Sequence, residues 1–421
     1  MSEEIPTWQP EVRNPGWRVT FAGMGINLAL GILYTWSVIS ERVPEDWHWN
    51  EDDKSLPYML ACLIFSLVMV PAGRMQDRIG PRLVATIGGI LVGLGFIIAS
   101  MTTSLNVFVI GFGILAGAGI GFGYASATPP AVKWFPAAKT GLIAGIVVSG
   151  FGLASVYAAP LTTWLIVHLG FKTAVLLLGI AFLVVVVSLA QILKPPPEGY
   201  VPLGSGPAPD AKSNNKKEDF SAREMLATVQ FYMIWFMYVC GAGAGLMIIS
   251  KLAAIANKQV GISMGFVLVA VLAVGNGGGR IVAGILSDKI GRKAAMFLCF
   301  VCQAVLIFLL SRATAENILG GIAVMAVISA LIGANYGANL SLFPSITKDF
   351  YGLKNFGMNY GLVFTAWGVG GFMLAKLAGV MYVKYQTFVI AYYGASALLI
   401  MAAIITLFVK APHHRLETAQ V

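Results

Sequence analysis

The chain has 421 residues, of which 57% are hydrophobic and only 11% charged, and its mean hydropathy is +0.79. A soluble domain is nearer one quarter charged, so this composition cannot dress an ordinary globular surface, but it can build membrane spans: twelve of about 20–23 residues need roughly 240–276 residues. Disordered, fibrous and disulfide-stapled proteins are excluded on the same ground.

Apolar runs predict spans at 17–40, 57–76, 82–102, 105–130, 140–168 and 171–193, then at 228–250, 262–286, 293–311, 317–344, 355–376 and 387–410. The fold class expected is an all-α membrane protein with twelve transmembrane helices in two six-helix bundles. Pro195, Pro196 and Pro197, followed by Lys212, Lys216, Lys217, Glu218 and Asp219, break helix and exclude membrane. The expected domains are therefore a bundle over 1–193, a cytoplasmic linker over 194–222 and a second bundle over 223–421. The polar, Pro-punctuated first fifteen residues carry no cleavable signal pattern.

The net charge of +9 raises nucleic acid as a partner. The positions of the charges argue against it. Most of the 28 Lys and Arg fall in the termini and in alternate loops, the positive-inside bias, which puts both termini in the cytoplasm. The expected location is a cell inner membrane, with lipid as surroundings and the chain functional as a monomer. The acidic loop with Glu41, Glu45, Asp46, Glu51, Asp52 and Asp53 reads as a solvated segment. Cys62, Cys240, Cys299 and Cys302 lie in apolar runs without further ligands nearby, so a structural role is expected and a zinc site is not.

A signature occurs twice. Residues 73–82 read G-R-M-Q-D-R-I-G-P-R, and 284–293 read G-I-L-S-D-K-I-G-R-K. Gly73 and Gly284 would permit close helix approach. Gly80 and Gly291 suit a tight turn. Asp77 and Asp288 can accept hydrogen bonds at helix ends or pair with Arg78, Lys289 or Arg292.

No Asp, Glu or His falls at the centre of an expected span, so carboxylate dyads, metal clusters and Ser-His pairs are missing and an enzyme is not expected. The G-N-G-G-G-R run at 275–280 lacks the Lys-Ser/Thr ending of a phosphate loop and follows no strand. Arg280 is the exception, a cation inside the eighth span. Burying it costs about 2.5–3.5 kcal/mol on insertion scales. Its guanidinium matches a carboxylate, so it reads as an anion anchor facing a cavity. Asn276, at i−4, shares its face. Tyr34, Tyr124, Asn335, Tyr336, Phe364 and Trp367 recur in spans one, four, ten and eleven, with Leu28 and Leu142 as candidate wall residues.

The chain resembles the major facilitator superfamily in span count, linker and both loop signatures. Gly73, Asp77, Arg78, Gly284, Asp288, Lys289 and Arg292 match that family's inner-gate loops. The resemblance implies two bundles rocking around a central site. The patterns Y-T-W-S at 34–37, G-Y-A-S-A-T-P-P-A-V-K-W-F-P at 123–136, N-Y-G at 359–361 and F-T-A at 364–366 are similar to the oxalate/formate antiporter branch and the monocarboxylate carriers. That implies Arg280 as the carboxylate-binding residue and Tyr34, Tyr124, Tyr336 and Phe364 as an aromatic cage. Where oxalate exchangers of the family follow F-T-A with Lys, this chain has Trp367, which favours a monocarboxylate. Where animal monocarboxylate carriers have D-x-x-x-R, this chain has Asn276 and Arg280. The function implied is proton-coupled symport of a small monocarboxylate, L-lactate foremost, with pyruvate or similar short acids behind it. No cofactor is expected beyond the proton as coupling ion. The alternative is proton-independent exchange of organic anions.

Overall fold

The computed structural model describes residues 14–136, 139–197, 200, 202, 219–352 and 355–412. Twelve helices in it are long and apolar enough to cross a membrane. In the first half they are α1 (Gly16–Ser40), α2 (Asp53–Ile79), α3 (Pro81–Ser100), α4 (Leu105–Val132), α5 (Leu142–Leu169) and α6 (Phe171–Ala190). In the second half they are α7 (Val229–Val260), α8 (Gly265–Ile290), α9 (Arg292–Leu310), α10 (Ile322–Tyr351), α11 (Phe356–Tyr385) and α12 (Val389–Phe408). The protein is therefore an all-α membrane protein, and the described residues include no strand. Most of the expected linker lies outside the described residues, as does the first part of the N-terminus.

Hydropathy placed most span limits well and stopped three spans too early. Helix α7 continues ten residues past 250, α11 nine past 376 and α10 seven past 344. Lysine is a good helix former, so charged residues end an apolar run without ending the helix. Lys251 and Lys258 thus belong to α7, and Lys384 to α11.

The halves meet chiefly through α5 against α8 and α2 against α11. At the end bearing the loop between α1 and α2, they are clamped. Glu51, in that loop, is 6% exposed. One of its carboxylate oxygens lies 3.1 Å from the Lys251 ammonium and the other 2.6 Å from that of Lys258. The Glu51 carbonyl also accepts from Lys251, at 2.9 Å, and Lys54 adds a contact at 3.5 Å. Nearby, Asp52 pairs with Lys376 of α11 at 2.7 Å. The loop comes this close because Gly379 has no side chain; a Cβ there would sit 3.0 Å from the Asp52 Cα. The expectation of a merely solvated acidic loop is thus corrected. The lysines of α7 and α11 draw Glu51 and Asp52 into the interface.

Burial raises a carboxyl pKa, but here the surrounding ammonium groups outweigh burial and hold Glu51 down at about 2. Burial pushes Glu41 the other way, above its ordinary value.

The opposite, linker end carries the duplicated loop signature. Gly80 and Gly291 end α2 and α8 with the same backbone, at φ 89° and ψ 154° and 153°, so the duplicated signature is a duplicated turn. Asp288 pairs with Arg292 at 2.6 Å, as expected, and Asp349 adds a second partner for Arg292 at 3.3 Å. Asp77 instead accepts a hydrogen bond from Gln76, and Arg78 and Lys289 are exposed. The close approach expected at Gly73 and Gly284 is absent: both face open space. Gly145 and Gly357 face open space as well.

The clamp yields a prediction. Glu51→Gln leaves Lys251 buried without a counter-charge, a defect worth about 3–5 kcal/mol. The halves should part at this end, and spin labels at exposed His48 and Lys384 should report longer distances. In the wild type the distance should hold steady as pH falls to Glu51's ordinary 4.5 and lengthen only as pH drops toward about 2. That is the sign required of a carboxylate whose folded pKa is depressed.

Candidate functional site

Midway between the two ends, α1 departs from regular α-helix. Residues Gly31–Thr35 tighten into a 3-10 turn, a local irregularity of the kind that often marks a functional position. Tyr34 sits on this turn, 3% exposed. Its hydroxyl lies 2.5 Å from that of Tyr336 in α10. The Tyr336 hydroxyl also accepts from Trp367 Nε1 of α11 at 2.7 Å. Three of the sequence-selected residues, from both halves, therefore form one hydrogen-bonded chain.

Aromatic rings extend it. Phe364 stacks on Trp367 with centroids 5.3 Å apart and planes at 13°. Tyr124 of α4 lies 6.3 Å from Phe364, also stacked. Two rings that sequence reasoning missed hold the group together. Phe65 of α2 meets Tyr124, Phe364 and Trp367 at 5.1–5.7 Å. Phe151 of α5 meets Tyr34 at 4.9 Å and Tyr124 at 5.3 Å, both edge-on. Phenylalanines in apolar runs carry no polar signal, so only spatial position reveals them.

Arg280 is 8% exposed and Asn276 is fully buried. Arg280 Nε donates to Asn276 Oδ1 at 3.2 Å, and Nη1 donates to the Val148 carbonyl of α5 at 2.9 Å. The i−4 relation read from sequence is thus a direct hydrogen bond. The Val148 carbonyl stands one turn of α5 before Phe151, the ring that meets Tyr34 and Tyr124. Gly152 makes room for the guanidinium: a Cβ there would come within 3.2 Å of Nη2. Two buried nitrogens, Arg280 Nη2 and Asn276 Nδ2, have no hydrogen-bond partner. Both are donors only, so they call for an acceptor, and an anionic one satisfies the charge as well.

Three expected residues fall elsewhere or contribute less. Leu142 is 59% exposed at the first turn of α5. It precedes Val148 by six residues, roughly 9 Å of helix, so Phe151 supplies the wall expected of Leu142. Asn335 donates to the Leu331 carbonyl of its own helix at 2.9 Å and is only half-buried, because neighbouring helix positions point in different directions and Tyr336 takes the inward one. Leu28 is half-buried; its carbonyl accepts from the Tyr157 hydroxyl at 2.9 Å, which ties α1 to α5 beside the site.

Comparison with known proteins agrees with this architecture. The family model of the Major Facilitator Superfamily matches residues 19–313 and 252–420. An uncharacterized MFS-type transporter, YhjX of Escherichia coli, is 28% identical over 84% of this chain and 85% of its own. The oxalate:formate antiporter of Oxalobacter formigenes is 27% identical over 80% of this chain and 77% of its own. Human monocarboxylate transporter 11 is 25% identical over 86% and 76%. Among solved structures, a bacterial homolog of the human lysosomal transporter Spinster, described as inward-facing and unoccupied, superposes with TM-score 0.64. It has 16% identity and covers 93% of this chain and 95% of its own.

The hydrogen-bonded chain predicts an order of stabilities. Tyr34→Phe removes one hydrogen bond but leaves Tyr336 bound by Trp367, at a cost of about 0.5–1.5 kcal/mol. Tyr336→Phe strands two buried polar groups at once, Tyr34 Oη and Trp367 Nε1, and each such loss costs about 1–3 kcal/mol. Thermal unfolding of the purified protein should show the lower Tm for Tyr336→Phe.

Proposed function

The chain belongs to the major facilitator superfamily, and we propose that within it this protein carries a small monocarboxylate together with a proton, with L-lactate the foremost substrate. The observation that supports this best is the pair of unpartnered, buried, donor-only nitrogens on Arg280 and Asn276 beside an aromatic wall. A carboxylate takes Arg280 Nη2 and Asn276 Nδ2. Tyr124 and Tyr336 serve a 2-hydroxyl group, and Tyr34, Phe65, Phe364 and Trp367 surround the methyl end. The linker end is cytoplasmic by its basic loops. The division into bundles over 1–193 and 223–421, joined by 194–222, lets each half rock as a body.

A single charge fits. Trp367 stands in α11 and uses its Nε1 on Tyr336, so Arg280 is the one cation among the residues that make up this cluster. A dianion there keeps an uncompensated charge in low dielectric, at a cost of several kcal/mol. Symport follows from electrostatics. An anion entering alone against an inside-negative potential costs about 2.3 kcal/mol per 100 mV, and a co-travelling proton removes that cost. The proton rides on the substrate carboxyl or on a transient water–tyrosine arrangement at the site.

The test is uptake of radiolabelled L-lactate into substrate-free proteoliposomes. An inward proton gradient should stimulate wild-type uptake. Arg280→Ala should lower it by roughly 10- to 100-fold, the range for losing hydrogen bonds to a charged group, and Arg280→Lys should restore only part. Uptake that needs internal preloading and ignores the gradient points to exchange instead. If neither L-lactate nor pyruvate or acetate is carried or bound, the monocarboxylate reading is lost.

A further inference from the structure

Lys251 lies 2% exposed in α7, a helix whose most apolar window is entirely buried. Lys258 is two turns further along, at i+7 and so on the same face. Together they grip one carboxylate, each ammonium holding a different oxygen of Glu51, at 3.1 and 2.6 Å. The Tyr382 ring flanks Lys258 Nζ at 4.9 Å. The lysines belong to the second half; Glu51 and its helper Lys54 belong to the first. Beside them a cavity of about 200 Å³ opens between the halves, lined by Glu41 and Arg42 on one side and Ala253 and Asn257 on the other.

Movement at this end separates the two parties. When the halves part to admit cargo, Lys251 and Lys258 lose Glu51 and line the mouth that has just opened. Two ammonium groups arranged to hold both oxygens of a carboxylate then face incoming carboxylates. We infer that Lys251 and Lys258 form a second anion-binding site, which receives the substrate carboxylate at this end before Arg280 does and from which Glu51 displaces it on closure. The identity of its ligand rests on the monocarboxylate reading above. The site stands above the central one along α7. Five residues nearer the middle, the Leu246 carbonyl accepts from the Tyr58 hydroxyl at 3.4 Å, and the adjacent Gly245 packs against the Tyr336 ring.

Were the lysines only the other half of the clamp, removing Glu51 would already abolish their role. The decisive background is therefore Glu51→Gln, which frees them without deleting them. In proteoliposomes oriented with this end outward, Lys251→Gln added to Glu51→Gln should raise the KM for external L-lactate at least fivefold, and Lys258→Gln should do likewise. The KM for efflux from the linker end should stay unchanged. Lys258 is 29% exposed, so its variant tests the site without disturbing a buried position. External KM values within twofold of the Glu51→Gln parent for both lysines overturn the proposal.

A second readout separates this result from failure of the monocarboxylate reading. If the wild type carries no L-lactate, acetate is titrated against the thermal stability of the same variants. Acetate stabilisation of Glu51→Gln that disappears with Lys251→Gln retains the anion site and discards only the cargo. Equal stabilisation with and without the lysines discards the site.

Discussion

Four cations of the second half, Arg280, Lys251, Lys258 and Lys376, reach across to oxygens of the first, and these contacts tie the halves together. Arg280 donates to the Val148 carbonyl of α5. Lys251 donates to the carbonyl and carboxylate of Glu51, and Lys376 to the carboxylate of Asp52. A buried cation without a partner is costly, and breaking a buried pair is costlier than forming it is rewarding. Every relative movement of the halves must therefore exchange these oxygens for others, from water or from a bound anion. The clamp joins the halves at the loop end.

Between the ends, the aromatic group does two jobs with one set of atoms. The Tyr34–Tyr336–Trp367 hydrogen bonds span the halves, so they help close the site toward the loop end. Arg280 is only 8% exposed, and burial strengthens its attraction for an anion, because charges interact more strongly in low dielectric. The rings give the group an apolar face, which in the proposed function suits a cargo with one charged and one hydrocarbon end.

Much of this was legible in the sequence. Hydropathy gave twelve helices because each must carry enough apolar surface to face lipid. The repeated loop signature became a repeated turn because Gly80 and Gly291 adopt a left-handed φ that other residues resist. Arg280 stood out because a cation in an apolar span is rare, and helical spacing alone tied it to Asn276. Phe65 and Phe151 were hidden because phenylalanine is ordinary in a span. Glu51 and Lys251 were hidden for a different reason: Glu51 lies in an acidic loop and Lys251 just past the end of an apolar run, so both look solvated, and only their juxtaposition from opposite halves shows that both are buried. Leu142 misled in the opposite sense, since an apolar residue in the right helix sat too near its end.

The charge balance of the two buried centres also bears on cargo. A guanidinium has five N–H donors, and Arg280 spends one on Asn276 and one on Val148, which leaves three, two of them on the unpartnered Nη2. One carboxylate consumes that capacity. A second carboxylate on the same ligand would need a second cation, and the other buried one on the path, Lys251, is neutralised by Glu51 whenever the loop end is closed. Taking Lys251 for the cargo would mean releasing Glu51 and so reopening the end that closure has sealed. Thus a dianion works against the clamp, whereas a monoanion held by Arg280 alone leaves it intact. In the proposed function, selectivity for a single charge would then arise from the ion pairs at the loop end as much as from the residues around Arg280.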